Sequence, residues 1–210
     1  MRGDAIDVLR AIVAEAYRTL AAAGLVVGSQ GNVALADHAS GVVYVTGTGL
    51  AAATAGPESI AEVDLASGAA RRGPAPSTEL ATHLAVLRAG RAAVVHAHAP
   101  YATAVALVED AIPAVLVEQA IRVGGAVPVI PYVATGSVEM ANAVAAAIGS
   151  AGRAVVIRSH GVFTAGNDLA SAFAAMLATE EAARAYLLAR SIGSPVELSA
   201  EAVAHLRDLG

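Results

Sequence analysis

Two histidines separated by a single residue are the sharpest sign of chemistry in this 210-residue sequence. His96 and His98 end a β-branched run, and side chains two positions apart on a strand point to the same face, where they can share one metal ion. A pair of histidines in an apolar strand is nevertheless more often structural than metal-binding. His160 supplies a third imidazole, because it follows another strand-like run and precedes a glycine. Three histidines with one open position are typical of a catalytic zinc site.

The other histidines are better explained as surface or structural residues than as metal ligands. His38 lies in a predicted hairpin turn and His205 in a charged C-terminal helix, so both are expected at the solvated surface. His83 comes four residues after Glu79, on the same face of a predicted helix. A structural role is favoured there, in which His83 orients the carboxylate of Glu79 or packs against it.

The amino acids that are missing exclude several mechanisms. All 13 basic residues are arginine, so the chain has no lysine for a Schiff base, a P-loop or a pyridoxal cofactor. It has no cysteine, which excludes a thiolate nucleophile, a disulfide framework, a cysteine-bound iron–sulfur cluster and a zinc ribbon. Histidine and carboxylate must therefore carry any chemistry.

Charge and hydropathy narrow the possible partners and locations. A net charge of −5 with only 3% aromatic residues provides neither the basic surface nor the stacking platform that nucleic acids require. The uncharged stretch 38–57 contains glycines, a proline and several hydroxyls, so no transmembrane helix is expected. The amphipathic N-terminus does not resemble a signal peptide. We expect a cytoplasmic protein that binds neither membranes nor nucleic acid.

Hydrophobic periodicity predicts alternating helices and strands within one domain, residues 1–210. Apolar residues at spacings of three and four predict an opening helix over residues 4–23, which Gly24 ends. Further helices are predicted at residues 79–89, 100–108, 138–148 and 169–190. Short β-type runs predict strands at residues 33–35, 42–46, 59–65, 92–98, 112–117, 127–130 and 154–158. No internal repeat or linker divides the chain.

Three turns combine glycine with hydroxyl or amide side chains and could bind an anion. They are residues 28–32, residues 46–49, and Ser77-Thr78 at the start of a predicted helix. Each has a simpler interpretation, because the first two are ordinary turns and the hydroxyls are usual helix caps. Glu79 follows them, and most acids at such a position only complement the helix dipole.

In combination these motifs resemble the class II aldolase/adducin family. The matching segments keep their order and spacing from about residue 5 to residue 190. They are residues 24–33, Thr46-Gly-Thr-Gly49, Pro76-Ser-Thr-Glu79 with His83, residues 94–99, Ile112-Pro113, Pro131-Tyr132, and His160-Gly161 followed by the long helix with Glu180-Glu181. Any single motif is weak, but together they cover nearly the whole chain.

The resemblance implies a divalent metal site and a phosphate site. The implied metal is zinc, with Mn2+, Co2+ or Ni2+ as alternatives, held by His96, His98 and His160. Glu79 matches the family glutamate, which can ligate the resting metal and then acts as the acid/base. The turns that hold the substrate phosphate in the enzymes correspond here to Gly31, Asn32, Thr48, Gly49, Ser77 and Thr78.

The implied reaction is cleavage of a ketose 1-phosphate, such as L-fuculose 1-phosphate, into dihydroxyacetone phosphate and an aldehyde. The absence of lysine agrees with it, because a Lewis-acid metal must then replace an iminium in stabilising the enediolate while a carboxylate moves the proton. Sugar-phosphate 4-epimerisation, methylthioribulose-phosphate dehydration and sugar-acid decarboxylation are alternatives within the family. A noncatalytic, adducin-like interaction module is another alternative, against which the retained histidines and Glu79 argue.

The sequence departs from the family pattern at two places. The tyrosines that handle the aldehyde are not matched, since residues 112–125 contain none and none follows Tyr186. The basic residue often found shortly after the Gly-Asn motif is also replaced, because Asn32 is followed by Val-Ala-Leu-Ala-Asp. The resemblance therefore does not identify the aldehyde-side acid, and phosphate binding is expected to be weaker or differently built.

We predict an α/β fold, an α/β/α sandwich in which helices cover both faces of a central, mainly antiparallel sheet. The first helix, the helix after Glu79 and the long helix from Leu169 are expected to supply the layers. The resemblance also implies a homotetramer with active sites between neighbouring subunits, acting on a small phosphorylated sugar.

Overall fold

The computed structural model describes residues 2–149 and 152–209 of the chain, which form seven α-helices and nine strands within these ranges. The helices are α1 (Arg2–Ala22), α2 (Leu80–Arg88), α3 (Pro100–Ala106), α4 (Val117–Val123), α5 (Val138–Ile148), α6 (Leu169–Ile192) and α7 (Ala200–Arg207). The strands are β1 (Asn32–Asp37), β2 (Val42–Thr46), β3 (Ile60–Asp64), β4 (Ala70–Arg72), β5 (Ala93–Ala97), β6 (Ala111–Ile112), β7 (Val127–Ile130), β8 (Ala154–Ile157) and β9 (Gly161–Gly166). No helix in the described ranges combines the length and apolar character needed to cross a bilayer.

The nine strands form one sheet in the order β4-β3-β2-β1-β5-β9-β8-β7-β6. Seven of the eight neighbouring pairs are antiparallel, and β7 runs parallel to β8. The predicted mainly antiparallel sheet is therefore confirmed. In the centre, Asn32 of β1 pairs with His96 of β5, and His96 pairs with Phe163 of β9. These three side chains form a row across neighbouring strands on one face of the sheet.

Helices cover both faces of the sheet. α1, α3, α4 and α6 pack on one face, where Tyr17 and Val95 belong to a buried apolar cluster. α2 and α5 pack on the opposite face, where Leu87 and Val94 belong to a second cluster. Because side chains alternate along a strand, β5 contributes Val95 to the first cluster and Val94 to the second. The predicted sandwich, with helices on both faces, is confirmed.

The segment 112–117 differs from the strand predicted for it. β6 ends at Ile112, and α4 begins at Val117. Pro113 has no amide hydrogen to donate to a strand ladder. The side chain of Gln119 pairs with this segment instead, since it accepts from the amide of Val115 at 3.0 Å and donates to the carbonyl of Pro113 at 2.9 Å. The sequence patterns also do not predict β4, β9 or α4.

Candidate active site

Three histidines converge near the ends of β5 and β8. His96 lies in β5, His98 follows that strand, and His160 lies in the turn between β8 and β9. One ring nitrogen from each lies within 4.8 Å of the others, a spacing that lets three imidazoles share one ion. Their ring centroids are 4.9, 5.1 and 5.2 Å apart. The structure thus brings the three predicted ligands together, while His38 and His205 are exposed, as predicted.

The tautomer of His96 leaves one ring nitrogen available for a metal. Its Nδ1 donates to the carbonyl of Val162 at 2.9 Å, so Nε2 carries the lone pair. This Nε2 is buried and has no hydrogen-bond partner. Burial lowers the pKa of His96 to about 3 and also lowers the pKa of His98, which keeps both rings neutral, as metal ligands must be. The donor set therefore fits a divalent ion of the zinc type.

Close packing holds the histidine rings in place. Phe163, from β9, stacks on His96 with ring centroids 4.0 Å apart and an interplanar angle of 14°. A Cβ atom on Gly161 would lie 2.6 Å from the carbonyl oxygen of Ala97. The same atom would lie 3.2 Å from ring carbons of both His96 and His98. A larger residue at position 161 would therefore displace the histidines.

Glu79 lies beside two of these histidines. It immediately precedes α2, but its side chain makes no capping hydrogen bond to that helix. Instead, Oε2 lies 3.2 Å from Nε2 of His96, and Oε1 lies 3.2 Å from Nε2 of His160. Burial raises the pKa of Glu79, but interactions with His160, His96 and Asn32 outweigh burial and lower this pKa to about 2. Glu79 is thus a buried carboxylate within reach of an ion held by the histidines.

A chain of hydrogen bonds fixes the Glu79 carboxylate. Nδ2 of Asn32 donates to Oε2 of Glu79 at 2.7 Å, and Oδ1 of Asn32 accepts from Nε2 of His83. The ring of His83 is fully buried, and burial lowers its pKa to about 4, so the ring is neutral and directs its single N–H at Asn32. This agrees with the structural role predicted for His83. The side-chain amide of Asn32, which was predicted to bind phosphate, is thus hydrogen-bonded to Glu79 and His83.

A cavity of about 240 Å³ adjoins this cluster. Its walls contain all the predicted phosphate residues together with Glu79, His98 and His160, whereas His96 is fully buried. The lining residues are Ser29, Gln30, Gly31, Asn32, Gly47, Thr48, Gly49, Ser77, Thr78, Glu79, His98, Thr135 and His160, with no arginine among them. The cavity therefore joins a candidate metal centre to three turns of a type that can bind anions.

The turns differ in what they can offer to an anion. The amides of Gly31, Gly49 and Thr78 donate to no acceptor in the part of the chain that the structure describes. By contrast, the amides of Thr48 and Ser77 donate to backbone carbonyls at 2.9 and 3.0 Å. These two residues are left with their hydroxyl groups, so the cavity wall presents both free amides and hydroxyls.

The amino-acid sequence of the chain matches the model of a known protein family. The sequence model described as "Class II Aldolase and Adducin N-terminal domain" matches residues 11–187. The chain belongs to the class II aldolase and adducin family. Class II aldolases are metal-dependent, and the cluster of His96, His98 and His160 could hold the ion in this member.

Relatives of this chain include enzymes named for different sugar phosphates. The 5-deoxy-D-ribulose 1-phosphate aldolase of Bacillus thuringiensis serovar kurstaki is 29% identical over 180 residues, which cover 85% of this chain and 84% of the relative. The L-fuculose phosphate aldolase of Escherichia coli is 32% identical over 184 residues, which cover 86% of this chain and 84% of the relative. A solved structure of an L-fuculose 1-phosphate aldolase matches with a TM-score of 0.89 and 27% identity, covering 95% of this chain and 94% of that chain.

Two residues of this candidate site are not predicted from the sequence. Phe163 belongs to no recognisable motif, because its stacking on His96 depends on how β5 aligns with β9. Thr135 lines the cavity next to Gly136, which adopts a φ of +73°. A Cβ on Gly136 would lie 2.8 Å from the carbonyl oxygen of Thr78, so glycine is needed for this turn to approach the cavity. Like the other three turns of the cavity, this turn combines glycine with hydroxyl side chains. The same combination is the sequence signal that could have identified it.

Proposed function

We propose that the protein is a metal-dependent aldolase that cleaves a ketose 1-phosphate into dihydroxyacetone phosphate and an aldehyde. One observation carries this proposal: a single cavity joins Glu79 and the histidine cluster to turns with free amides and hydroxyls. A ketose 1-phosphate carries its phosphate and its carbonyl on adjacent carbons. The histidine cluster would therefore face the carbonyl of such a substrate, and the turns would bind its phosphate.

The proposed metal is zinc, held by His96, His98 and His160, with Glu79 as a further ligand in the resting state. Three imidazoles suit zinc, and the same donors can accept Mn2+, Co2+ or Ni2+. The buried Nε2 of His96, which lacks a hydrogen-bond partner, supports a ligand at this position. When bound, the ion supplies a Lewis acid that stabilises negative charge on the oxygens of the substrate.

Glu79 is proposed to move the proton at carbon 3 of the ketose. In cleavage, the hydroxyl on carbon 4 gives its proton, directly or through water, to the Glu79 carboxylate, the bond between carbons 3 and 4 breaks to release the aldehyde, and the electron pair of that bond remains at carbon 3. Glu79 then delivers this proton to carbon 3, which completes dihydroxyacetone phosphate, and in the reverse direction it removes the proton from carbon 3 and returns it to the oxygen on carbon 4. The hydrogen bond from Asn32 orients the carboxylate for this transfer.

The phosphate is proposed to bind at the three turns. Gly31, Gly49 and Thr78 offer backbone amides, while Thr48 and Ser77 offer hydroxyl groups. The N-terminus of α2 follows these hydroxyls and contributes the positive end of a helix dipole. None of the described residues that line the cavity is an arginine, so the proposed phosphate site of this chain consists of neutral donors.

The names of the relatives indicate which substrates to test. 5-Deoxy-D-ribulose 1-phosphate and L-fuculose 1-phosphate both carry a phosphate on carbon 1. Cleavage between carbons 3 and 4 releases dihydroxyacetone phosphate from both, whereas the aldehydes differ. The shared half of these substrates is the half that the described cavity is equipped to bind.

The test is a screen of ketose 1-phosphates with the metal-loaded protein, in which dihydroxyacetone phosphate is detected by a coupled enzyme. We expect product from L-fuculose 1-phosphate or 5-deoxy-D-ribulose 1-phosphate, and none from the same ketoses without phosphate. If metal is bound and no ketose phosphate releases dihydroxyacetone phosphate, the aldolase reaction is rejected in favour of an epimerase, dehydratase or decarboxylase. Purified protein that binds no metal would instead support a noncatalytic interaction module.

We further propose a cytoplasmic homotetramer with active sites between neighbouring subunits. Exposed apolar side chains on α3 and α6 support an interface between copies of the chain. They include Tyr101, Leu177 and Leu188. A cyclic assembly would bury such side chains in the same way in every subunit.

A further inference from the structure

Tyr17 links the two glycine turns of the cavity to the first helix. Its hydroxyl lies 3.1 Å from the carbonyl oxygens of both Gln30 and Gly31 in the first turn. It also lies 3.3 Å from the carbonyl oxygen of Leu50, which follows Gly49 in the second turn. One side chain of α1 thus contacts both turns, although they are separated in sequence by β1 and β2.

The environment of this hydroxyl keeps it a hydrogen-bond donor. Tyr17 is 1% exposed, and burial raises its pKa to about 12, so the hydroxyl retains its hydrogen. A hydroxyl carries one hydrogen, so the three carbonyl oxygens share a single donor. The first turn is also linked to the segment after the second turn by a hydrogen bond of 2.9 Å from the amide of Ala52 to the carbonyl of Gly28. Tyr17 therefore reinforces an existing contact between these segments.

The contact with Gln30 also determines where the neighbouring amide points. The carbonyl of Gln30 and the N–H of Gly31 belong to one peptide unit, and no cis peptide bond occurs in the described chain. In a trans peptide the carbonyl and the N–H point in opposite directions. A hydroxyl that holds the carbonyl of Gln30 therefore directs the N–H of Gly31 away from the helix. Gly31 lines the cavity, and its N–H has no acceptor among the described residues.

We infer that Tyr17 is a positioning residue for the substrate phosphate, acting by orienting the amide of Gly31 and by holding the turn of Gly31 at a set distance from the turn of Gly49. This inference deepens the proposed function and rests on it for the identity of the anion. Tyr17 touches neither the cavity nor the histidine cluster. Its effect should therefore fall on binding of the phosphate group and leave the proton transfer at Glu79 unchanged.

The test compares Tyr17→Phe with Tyr44→Phe in the metal-loaded protein. Tyr44 is a matched control, because it is a buried tyrosine of β2 that does not line the cavity. In Tyr17→Phe we expect the Kd for inorganic phosphate, measured by calorimetry, and the KM for the ketose 1-phosphate to rise about three- to tenfold, the effect of losing one hydrogen bond. Metal content and kcat should stay at the wild-type level, and Tyr44→Phe should change neither constant.

A second readout separates positioning from a general loss of structure. Tyr17→Phe should slow the exchange of the carbon-bound proton of dihydroxyacetone phosphate at subsaturating concentration, but not that of unphosphorylated dihydroxyacetone. Equal slowing of both compounds would show a merely structural role and overturn the inference, and so would an unchanged phosphate Kd.

A measurement on the wild-type protein keeps the inference testable if Tyr17→Phe does not fold. Hydrogen–deuterium exchange should show that phosphate protects the amides of Gly31 and Gly49, and unprotected amides would reject the inference. The proposed function fails separately, through absence of ketose 1-phosphate cleavage by wild-type protein that binds phosphate normally.

Discussion

Nδ2 of Asn32 lies 2.7 Å from Oε2 of Glu79, at the end of a hydrogen-bond chain that begins at the buried ring of His83. Asn32 reaches this position because β1 pairs it with His96. Glu79 reaches it because α2 begins directly after this residue and packs on the same face of the sheet. The carboxylate that we propose as the proton carrier is therefore oriented by a strand and a helix together.

Removal of the Asn32 amide tests this orientation. We expect Asn32→Ala to slow deuterium exchange into dihydroxyacetone phosphate about tenfold with metal still bound, because a misplaced carboxylate transfers the proton less well. The free energy of unfolding should fall by about 1–3 kcal/mol, since buried groups of Glu79 and His83 lose their partner. Exchange is followed by NMR, with the exposed Asn142→Ala as control. A normal exchange rate in Asn32→Ala would contradict this role.

His83 should act only through Asn32, which a double-mutant cycle can show. His83→Leu removes the donor to Asn32, so we expect slower exchange into dihydroxyacetone phosphate than in the wild type. The double variant should be no slower than Asn32→Ala alone, because the two residues share one chain of hydrogen bonds. Rate losses that simply multiply would show that His83 acts independently of Asn32.

Replacement of Glu79 by glutamine tests whether this carboxylate is the base. Glu79→Gln keeps the size of the side chain but removes the basic group, so we expect a fall of roughly 10² to 10⁴ in the exchange rate with the fold intact. Glu139→Gln is the matched control, since Glu139 lies in the first turn of α5 and is exposed. If metal-loaded Glu79→Gln exchanges the proton as fast as wild type, Glu79 is not the base.

Loss of one histidine should empty the metal site. We expect His160→Ala to lose most of its bound metal, because only two of the three imidazoles would remain and the Glu79 carboxylate would lose its neighbour at His160. Metal content is measured on purified protein by elemental analysis after dialysis. His38→Ala, at an exposed position, should retain full occupancy. Full metal content in His160→Ala would reject this ligand set.

A methyl group at position 161 should disturb the same site sterically. Gly161→Ala would place a Cβ 2.6 Å from the carbonyl oxygen of Ala97 and against the rings of His96 and His98. We expect a loss of about 1–3 kcal/mol in stability and weaker metal affinity, because overpacking must displace these groups. Gly193→Ala is the control, since nothing lies within 4 Å of a Cβ there. Denaturant unfolding and metal titration check both effects, and equal behaviour of the two variants would contradict the packing argument.

The assembly proposal predicts a mass in solution. Four chains of 20.7 kDa give about 83 kDa, which light scattering can measure directly. We expect this mass in the metal-loaded protein, because apolar side chains exposed on α6 would be buried between subunits. A monomeric mass would contradict the proposal that the active sites lie between subunits.

Local sequence patterns correctly predicted those elements whose signal lies within a few residues. The apolar stripe that contains Tyr17 and Leu20 predicts α1, and Gly24 marks its end within two residues of the observed limit. The segment 112–117 shows the limit of such patterns, since an apolar run does not reveal that Gln119 pairs with its backbone. The hydroxyl of Tyr17 is a similar case, because the stripe predicts only that the side chain is buried.

The sequence by itself determined which chemistry is available: no lysine, no cysteine, three histidines near the ends of strand-like runs, and a glutamate at a helix start. Only the tertiary structure decided which of these groups meet. The row of Asn32, His96 and Phe163 depends on the register of three strands that are distant in sequence. That register is selected by burial of whole strand faces against helices on both sides of the sheet, a long-range energy that no local pattern contains.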